Sequence, residues 1–142
     1  MKINIRKSDA RFVVNPAKRK VVCIIDNTDN LFIDFAEDHS EFFESFYLPN
    51  KIFKKLKMPN RFIGIATCST EDEWDEEKGR LIAFSRAKDS LNQSFFKRAN
   101  FFVDTFDVWL NGLVERINNY GDKVSFNTER RHNRISEILD NK

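Results

Sequence analysis

Glycine and proline are scarce: four glycines and three prolines in 142 residues. No proline and no internal glycine interrupts the stretch between Gly79 and Gly112, which removes the usual helix breakers from it. There are two cysteines, Cys23 and Cys68, with no CxxC pair, and two isolated histidines, His39 and His132. A zinc site needs about four such ligands at short spacings, so none is expected, and no cofactor is. Free thiols in a reducing compartment are the expected state of both cysteines. No apolar run approaches the ~18 residues of a membrane span, and Met1–Arg6 lacks the apolar core of a secretory leader. A cytoplasmic location with no membrane partner is the expectation. Charge excess is lacking as well. The 24 Lys and Arg nearly balance 22 Asp and Glu, and a net of +2 does not call for a nucleic-acid partner. The clusters Lys18–Lys20, Lys54–Lys55 and Arg130–Arg131 read first as solvated turns and helix ends, with phosphate contacts as the functional alternative.

What is abundant is apolar surface. Hydrophobic residues make up 41% of the chain, and 15 residues are Phe. Such side chains demand a core, an interface or both. The length fits one domain over 1–142. Residues 2–6 and 11–15 alternate apolar and polar (Ile3, Ile5, Phe12, Val14), Val21–Ile25 is a continuous β-branched run, and Asp26–Asn30 is a turn. Leu31–Phe35 reads as a further strand, and Phe62–Cys68 as the last one. Between them, Phe42, Phe43, Phe46 and Tyr47 suggest a short helix, and Ile52, Phe53 and Leu56 a second. The fold class is α+β: residues 1–68 mainly an antiparallel β meander with a helical insertion, residues 70–142 helical.

Thr70 and Glu73 have capping-box spacing, so a helix is expected to start there. The acidic run 71–77 suits the positive end of a helix, and without a histidine partner it makes a poor metal site. Phe84, Ala87, Leu91, Phe95, Phe102, Phe106, Trp109, Leu113 and Ile117 form an apolar seam along one long helix, broken by Arg98. Tyr120–Asp122 is expected to loosen the chain before a last helix over Thr128–Leu139.

The face opposite the seam carries Arg86, Gln93, Lys97, Asn100, Asp104, Asn111 and Glu115, with Phe101 at its edge. A solvated face with one stray aromatic accounts for this set. So does a ligand shelf, in which Phe101 stacks on a planar base and Asp104 and Asn111 hydrogen-bond to ribose or base. On the last helix Arg130 and Arg134 are spaced i, i+4. Two parallel guanidinium forks suit a diphosphate, and a basic helix face paired with Glu137 is the plain alternative.

With these residues the chain resembles the first Thoeris anti-defence family, phage proteins that sequester cyclic ADP-ribose-type immune signals. The likeness lies in Arg61–Cys68, Asp72–Asp75, Gly79–Ala87 and the strand Lys20–Ile25. It covers roughly 100 residues. It implies an N-terminal β-sheet with long C-terminal helices. In the family an aromatic stacks on the adenine, an Asp lies three residues on, an Asn seven further, and two arginines four apart hold the phosphates. Phe101, Asp104, Asn111, Arg130 and Arg134 match that spacing. A further family arginine, before the aromatic, has Arg61, Arg80 and Arg86 as candidates. The resemblance also implies a homo-oligomer, a dimer or a hexamer, and in some members a separate site for cyclic oligonucleotides.

The reading that follows is a binding protein, not an enzyme. It would hold a glycocyclic ADP-ribose isomer intact, as a sponge, in the cytoplasm of an infected bacterium. No nucleophile–base pair, metal set or glycine-rich phosphate loop is visible. The other readings are a nucleic-acid-binding or nuclease-inhibiting protein, a small hydrolase using 71–77 with His39 or His132, and a structural oligomer. A pocket completed by a neighbouring protomer, or by the last helix folding back on the long one, is expected.

Overall fold

The structure is a computed structural model that describes residues 4–39 and 49–141. The helix expected over Phe42–Tyr47 lies outside the described residues. Strand β1 (Arg11–Asn15) and strand β2 (Lys20–Asp26) pair antiparallel with Phe12 opposite Cys23 and Val14 opposite Val21. The turn between them begins at Asn15–Pro16. Asn15 Oδ1 accepts the Lys18 N–H at 3.1 Å, and Arg19 takes a left-handed φ of 52°. Strand β3 (Arg61–Thr67) pairs antiparallel with the other edge of β2, giving the order β1-β2-β3. The central strand is buried along most of its length, which is why Val21–Ile25 reads as an unbroken apolar run. On β3 burial alternates: Phe62, Gly64 and Ala66 face inward, while Ile63 and Ile65 stand exposed.

Two expectations for the N-terminal region are corrected. Residues 4–6 are not a strand. A 3₁₀ turn at Lys7–Asp9 follows them, closed by Asp9 Oδ2 accepting the Arg6 N–H at 2.8 Å. Leu31–Phe35 is not a strand either but the start of helix α1 (Leu31–His39). A strand alternates its faces, yet Leu31, Phe32, Ile33 and Ala36 are all buried, a one-sided pattern with helical period. The turn at 26–30 supplies the entry, with Asn27 at φ 61° and the Asn30 carbonyl accepting the Asp34 N–H at 2.9 Å.

Helix α2 (Asn50–Leu56) buries Leu56 completely, as the Ile52, Phe53 and Leu56 pattern implies. The segment after it is tied to the entry of α1. Met58 N–H donates to the Asp29 carbonyl at 2.8 Å, and the buried Thr28 hydroxyl donates to the Pro59 carbonyl at 2.6 Å. Thr28 is thus a buried polar group that is fully partnered.

Helix α3 runs over Glu76–Asp140. It begins six residues after Thr70, and the Thr70–Glu73 box does not form. Asp75 takes the capping role instead: its carboxylate accepts the Lys78 N–H at 3.1 Å and its carbonyl the Gly79 N–H at 3.0 Å. Ala83, Ala87, Leu91 and Phe95 are buried. Phe95 meets Phe32 and Phe35 edge-on, at 5.4 and 5.3 Å between centroids. Burying a residue of this size contributes about 1.5–3 kcal/mol, so this aromatic knot is a major part of the core. Arg98, which breaks the seam, donates to the carbonyl of Lys57 at 3.2 Å and to Ser94 Oγ at 2.8 Å. It satisfies an orphan carbonyl just past the end of α2.

Two compact units are distinguished, one ending at Phe102 and one beginning at Val103. The second unit is a single helical segment. The loosening expected at Tyr120–Asp122 does not occur, and Thr128–Leu139 continues the long helix instead of forming a separate one. Gly121 lowers helix propensity by about 1 kcal/mol, which one residue cannot convert into a break when no proline follows. The seam residues of this unit are largely exposed: Trp109 at 37%, Leu113 at 54% and Ile117 at 58%.

Candidate functional site

The residues singled out from the sequence fall into three groups. Arg61 and Arg86 are engaged in holding the fold. Arg61 Nε donates to Asp26 Oδ1 at 2.8 Å, and Arg11 reaches Asp26 Oδ2 at 3.0 Å. Arg61 first, then Arg11, hold the Asp26 carboxyl below the usual carboxylate range. Arg86 Nη1 donates at 2.6 Å to the carbonyl of Ile65 on β3. It thereby caps part of a sheet edge. Arg80, the third candidate for the additional arginine, lies 3.5 Å from Glu76 and stacks on the Phe12 ring at 5.2 Å.

Phe101 forms the second group by itself. It is half-buried against the core, and the Lys55 ammonium lies 5.5 Å from its ring centroid. The aromatic that stands exposed beside Gln93, Lys97 and Asn100 is Phe96, 63% exposed, edge-on to Phe95 at 5.9 Å between centroids and flanked also by Asp89 and Asn92. Sequence reasoning missed it because Phe95–Phe96 reads as one apolar pair. The signal was available. Leu91 and Phe95 are i, i+4 on the seam, so Phe96, one residue on, must turn about 100° away from it.

Asp104, Asn111, Arg130 and Arg134 make the third group, all exposed and all in the second unit. Arg130 and Arg134 share an open groove with Phe126, Glu129, Asn133 and Glu137. Neither arginine makes an ion pair or hydrogen bond among the described residues. The i, i+4 spacing therefore leaves two adjacent, unneutralised guanidinium groups beside one aromatic ring and one amide. That arrangement suits a phosphate or diphosphate carried by a planar group. Glu129 and Glu137 at its border favour a ligand that also offers hydroxyl or amino donors.

The four residues cannot serve one ligand from one chain. Asp104 and Arg130 are 26 positions apart on a continuous helix, or about 39 Å at 1.5 Å per residue. That is several times the span of a cyclic dinucleotide-sized ligand. The version in which a separate last helix folds back also fails, since no such turn exists at 118–127.

A second concavity, about 930 Å³, lies where β3 leads into α3. Asp72, Glu73, Asp75, Glu76 and Glu77 line it, with Trp74 and Cys68. Its negative field repels a nucleotide. Arg19 closes one side, with Nη2 donating to the Asp72 carbonyl and lying 3.4 Å from Cys68 Sγ. Among the described residues, no group of three or more His, Cys, Asp or Glu could hold a metal ion. No described helix is long and apolar enough to cross a membrane.

Compared with known proteins, the chain matches no protein-family model, no curated protein and no solved structure.

Proposed function

We propose that this chain binds a cyclic ADP-ribose-type nucleotide and holds it unchanged, as a phage anti-defence protein that withdraws the signal from Thoeris immunity. The observation that carries this reading is the unneutralised pair Arg130 and Arg134 beside Phe126 and Asn133. Two free guanidinium forks one turn apart favour a dianionic diphosphate. The aromatic ring offers stacking of about 1–3 kcal/mol to a base. Holding the ligand needs no nucleophile and no metal, so the protein acts by sequestration, not catalysis. Asp104 and Asn111 take part only from a second protomer, which makes the working unit a homo-oligomer. The cyclic oligonucleotide site of the resembled family has no counterpart among the assigned residues.

The test is isothermal titration with cyclic ADP-ribose isomers, then heat release and analysis of the ligand. Tight binding with intact ligand recovered supports the reading. Arg134→Ala should weaken binding at least ~30-fold, about 2 kcal/mol, as expected for a charge-assisted contact. Chemically altered ligand would show an enzyme. Absence of binding to every isomer would refute the proposal and direct attention to oligonucleotides, with a salt-dependent affinity as the mark of that alternative.

A further inference from the structure

The described elements cover the sheet on one face only. Val21, Cys23, Ile25, Phe62 and Ala66 point into the core. The other face of the same strands is also apolar. The register lays Val13, Val22 and Ile65 in one cross-strand row and sets Ile24 beside Ile63 in the next. Val13 and Ile63 are 49% exposed and Ile65 is 40% exposed. Ile24 is 9% exposed yet stands outside the core cluster. An antiparallel sheet with one wet face ordinarily alternates apolar and polar residues. Here the unbroken run Val21–Ile25 gives the central strand two apolar faces, and only one of them is packed against helices. Five β-branched side chains on three adjacent strands make a contiguous patch, which single exposed residues do not.

Charge and size say what fits there. The patch ends at Arg11, Asp26 and Arg61 on one side and at Lys20 on the other. The two arginines occupy both oxygens of Asp26, while their own side chains stay 54% and 55% exposed. The border is therefore cationic, and a partner that matches it is apolar with carboxylates beside its apolar surface. Three strands about 4.8 Å apart present a face roughly 10 Å across, the width of one α-helix. From Arg61 to Thr67, which stands opposite Lys20, strand β3 rises about 20 Å, close to four turns of helix. The patch contains no aromatic side chain of the kind that anchors proteins at a lipid surface.

We propose that the open face of the sheet receives an acidic amphipathic helix of another protein, about four turns long, laid over Val13, Val22, Ile24, Ile63 and Ile65 with its carboxylates against Arg11, Arg61 and Lys20. Such a helix supplies the second covering layer that the central strand's composition calls for. The inference uses no residue of the Arg130 and Arg134 groove and stands apart from the ligand reading.

The test uses the full-length chain and two fluorescein-labelled synthetic helices of roughly four turns, each with a leucine stripe, bordered by Glu in one and by Lys in the other. Fluorescence anisotropy should show the Glu-bordered helix binding at least ~10-fold more tightly, with a preference that shrinks as salt is added. Ile63→Lys with Ile65→Lys should weaken that binding at least ~10-fold while the near-ultraviolet circular dichroism stays that of wild type. Val13→Lys alone gives the same reading should the double variant unfold. Lys20→Glu keeps the apolar patch and should narrow the preference between the two peptides. Backbone amide shifts on titration should concentrate at positions 11–26 and 61–67. Equal affinity for the two peptides, no binding of the Glu-bordered one, or binding indifferent to the changes at Ile63, Ile65 and Val13 would overturn the proposal. So would sedimentation showing a wild-type particle larger than that of the Ile63→Lys, Ile65→Lys variant, because a second copy would then occupy the face.

Discussion

Gly64→Ala is the sharpest probe of how the sheet and the helix meet. Gly64 sits mid-strand on β3, opposite Cys23, with its inward face against α3. A Cβ built there would lie 2.0 Å from the Ala83 carbonyl oxygen and 2.5 Å from the Ala87 nitrogen. Both neighbours are backbone, so no rotamer change relieves the contact. Ordinary contact begins near 3.4 Å, so strand and helix must separate by about 1.4 Å. A gap of even 0.5–1 Å forfeits a quarter to a half of each dispersion contact it opens. Ala83, Ala87, Leu91 and Phe95 all lie along the separating surface. Overpacking ordinarily costs about 1–3 kcal/mol, and a clash against fixed backbone belongs at or above the top of that range, about 3 kcal/mol or more. Gly112→Ala is the control. Its Cβ would meet nothing within 4 Å, and replacing a helical glycine with open space at its Cβ should stabilise by up to about 1 kcal/mol. Urea unfolding followed by far-ultraviolet circular dichroism and by tryptophan fluorescence measures both. A Gly64→Ala cost under about 1 kcal/mol would refute the close-approach argument, because the helix would then not be seated on that strand.

Phe101→Ala should destabilise by about 1–3 kcal/mol, since that ring packs against the core, whereas Phe96→Ala should fall within about 0.5 kcal/mol of wild type. Equal effects in thermal melts would show that the two rings are not on different faces. Asp26, with Arg61 and Arg11 on its two oxygens, has a folded-state pKa below its unfolded value. Its contribution to stability is therefore present above the unfolded carboxylate pKa, near 3.9, and is lost as pH falls through the lower folded value. Asp26→Asn should lower stability at neutral pH by a small increment, reduced by solvent screening of these exposed pairs, and by the same increment flatten the fall in stability below about pH 4. An unchanged acid limb would remove Asp26 from that role.

Much of the architecture was legible in the amino-acid order. The run Val21–Ile25 marked a buried strand, and Phe62–Cys68 marked its neighbour. The absence of proline and of internal glycine between Gly79 and Gly112 foretold a long helix there. These features are local, and local periodicity records which face is covered. Leu31–Phe35 went the other way because five apolar residues in six satisfy either period, and only the covering of Ile33 and Ala36 on one side decided for a helix. The helix start moved from Thr70 to Asp75 because Arg19 and the Ser69 turn hold residues 69–72 outside it.

The candidate site was legible as spacing and illegible as assembly. One turn of helix places Arg130 beside Arg134 whatever surrounds them, so the sequence alone determined that pair. The same helical geometry, continued through Gly121, separates them from Asp104 and Asn111, which no motif spacing could reveal. Arg86 and Arg61 looked available from their chemistry, and only the tertiary structure showed the Ile65 carbonyl and the Asp26 carboxylate already taking their hydrogen bonds. Phe101 and Phe96 differ for the same reason: a ring's identity is written in the sequence, while its freedom to stack depends on what packs against it. Residue types and periods fixed the elements, because a backbone chooses its dihedrals from nearby side chains. Which polar groups remain free was decided by contacts between residues tens of positions apart, which no local pattern encodes.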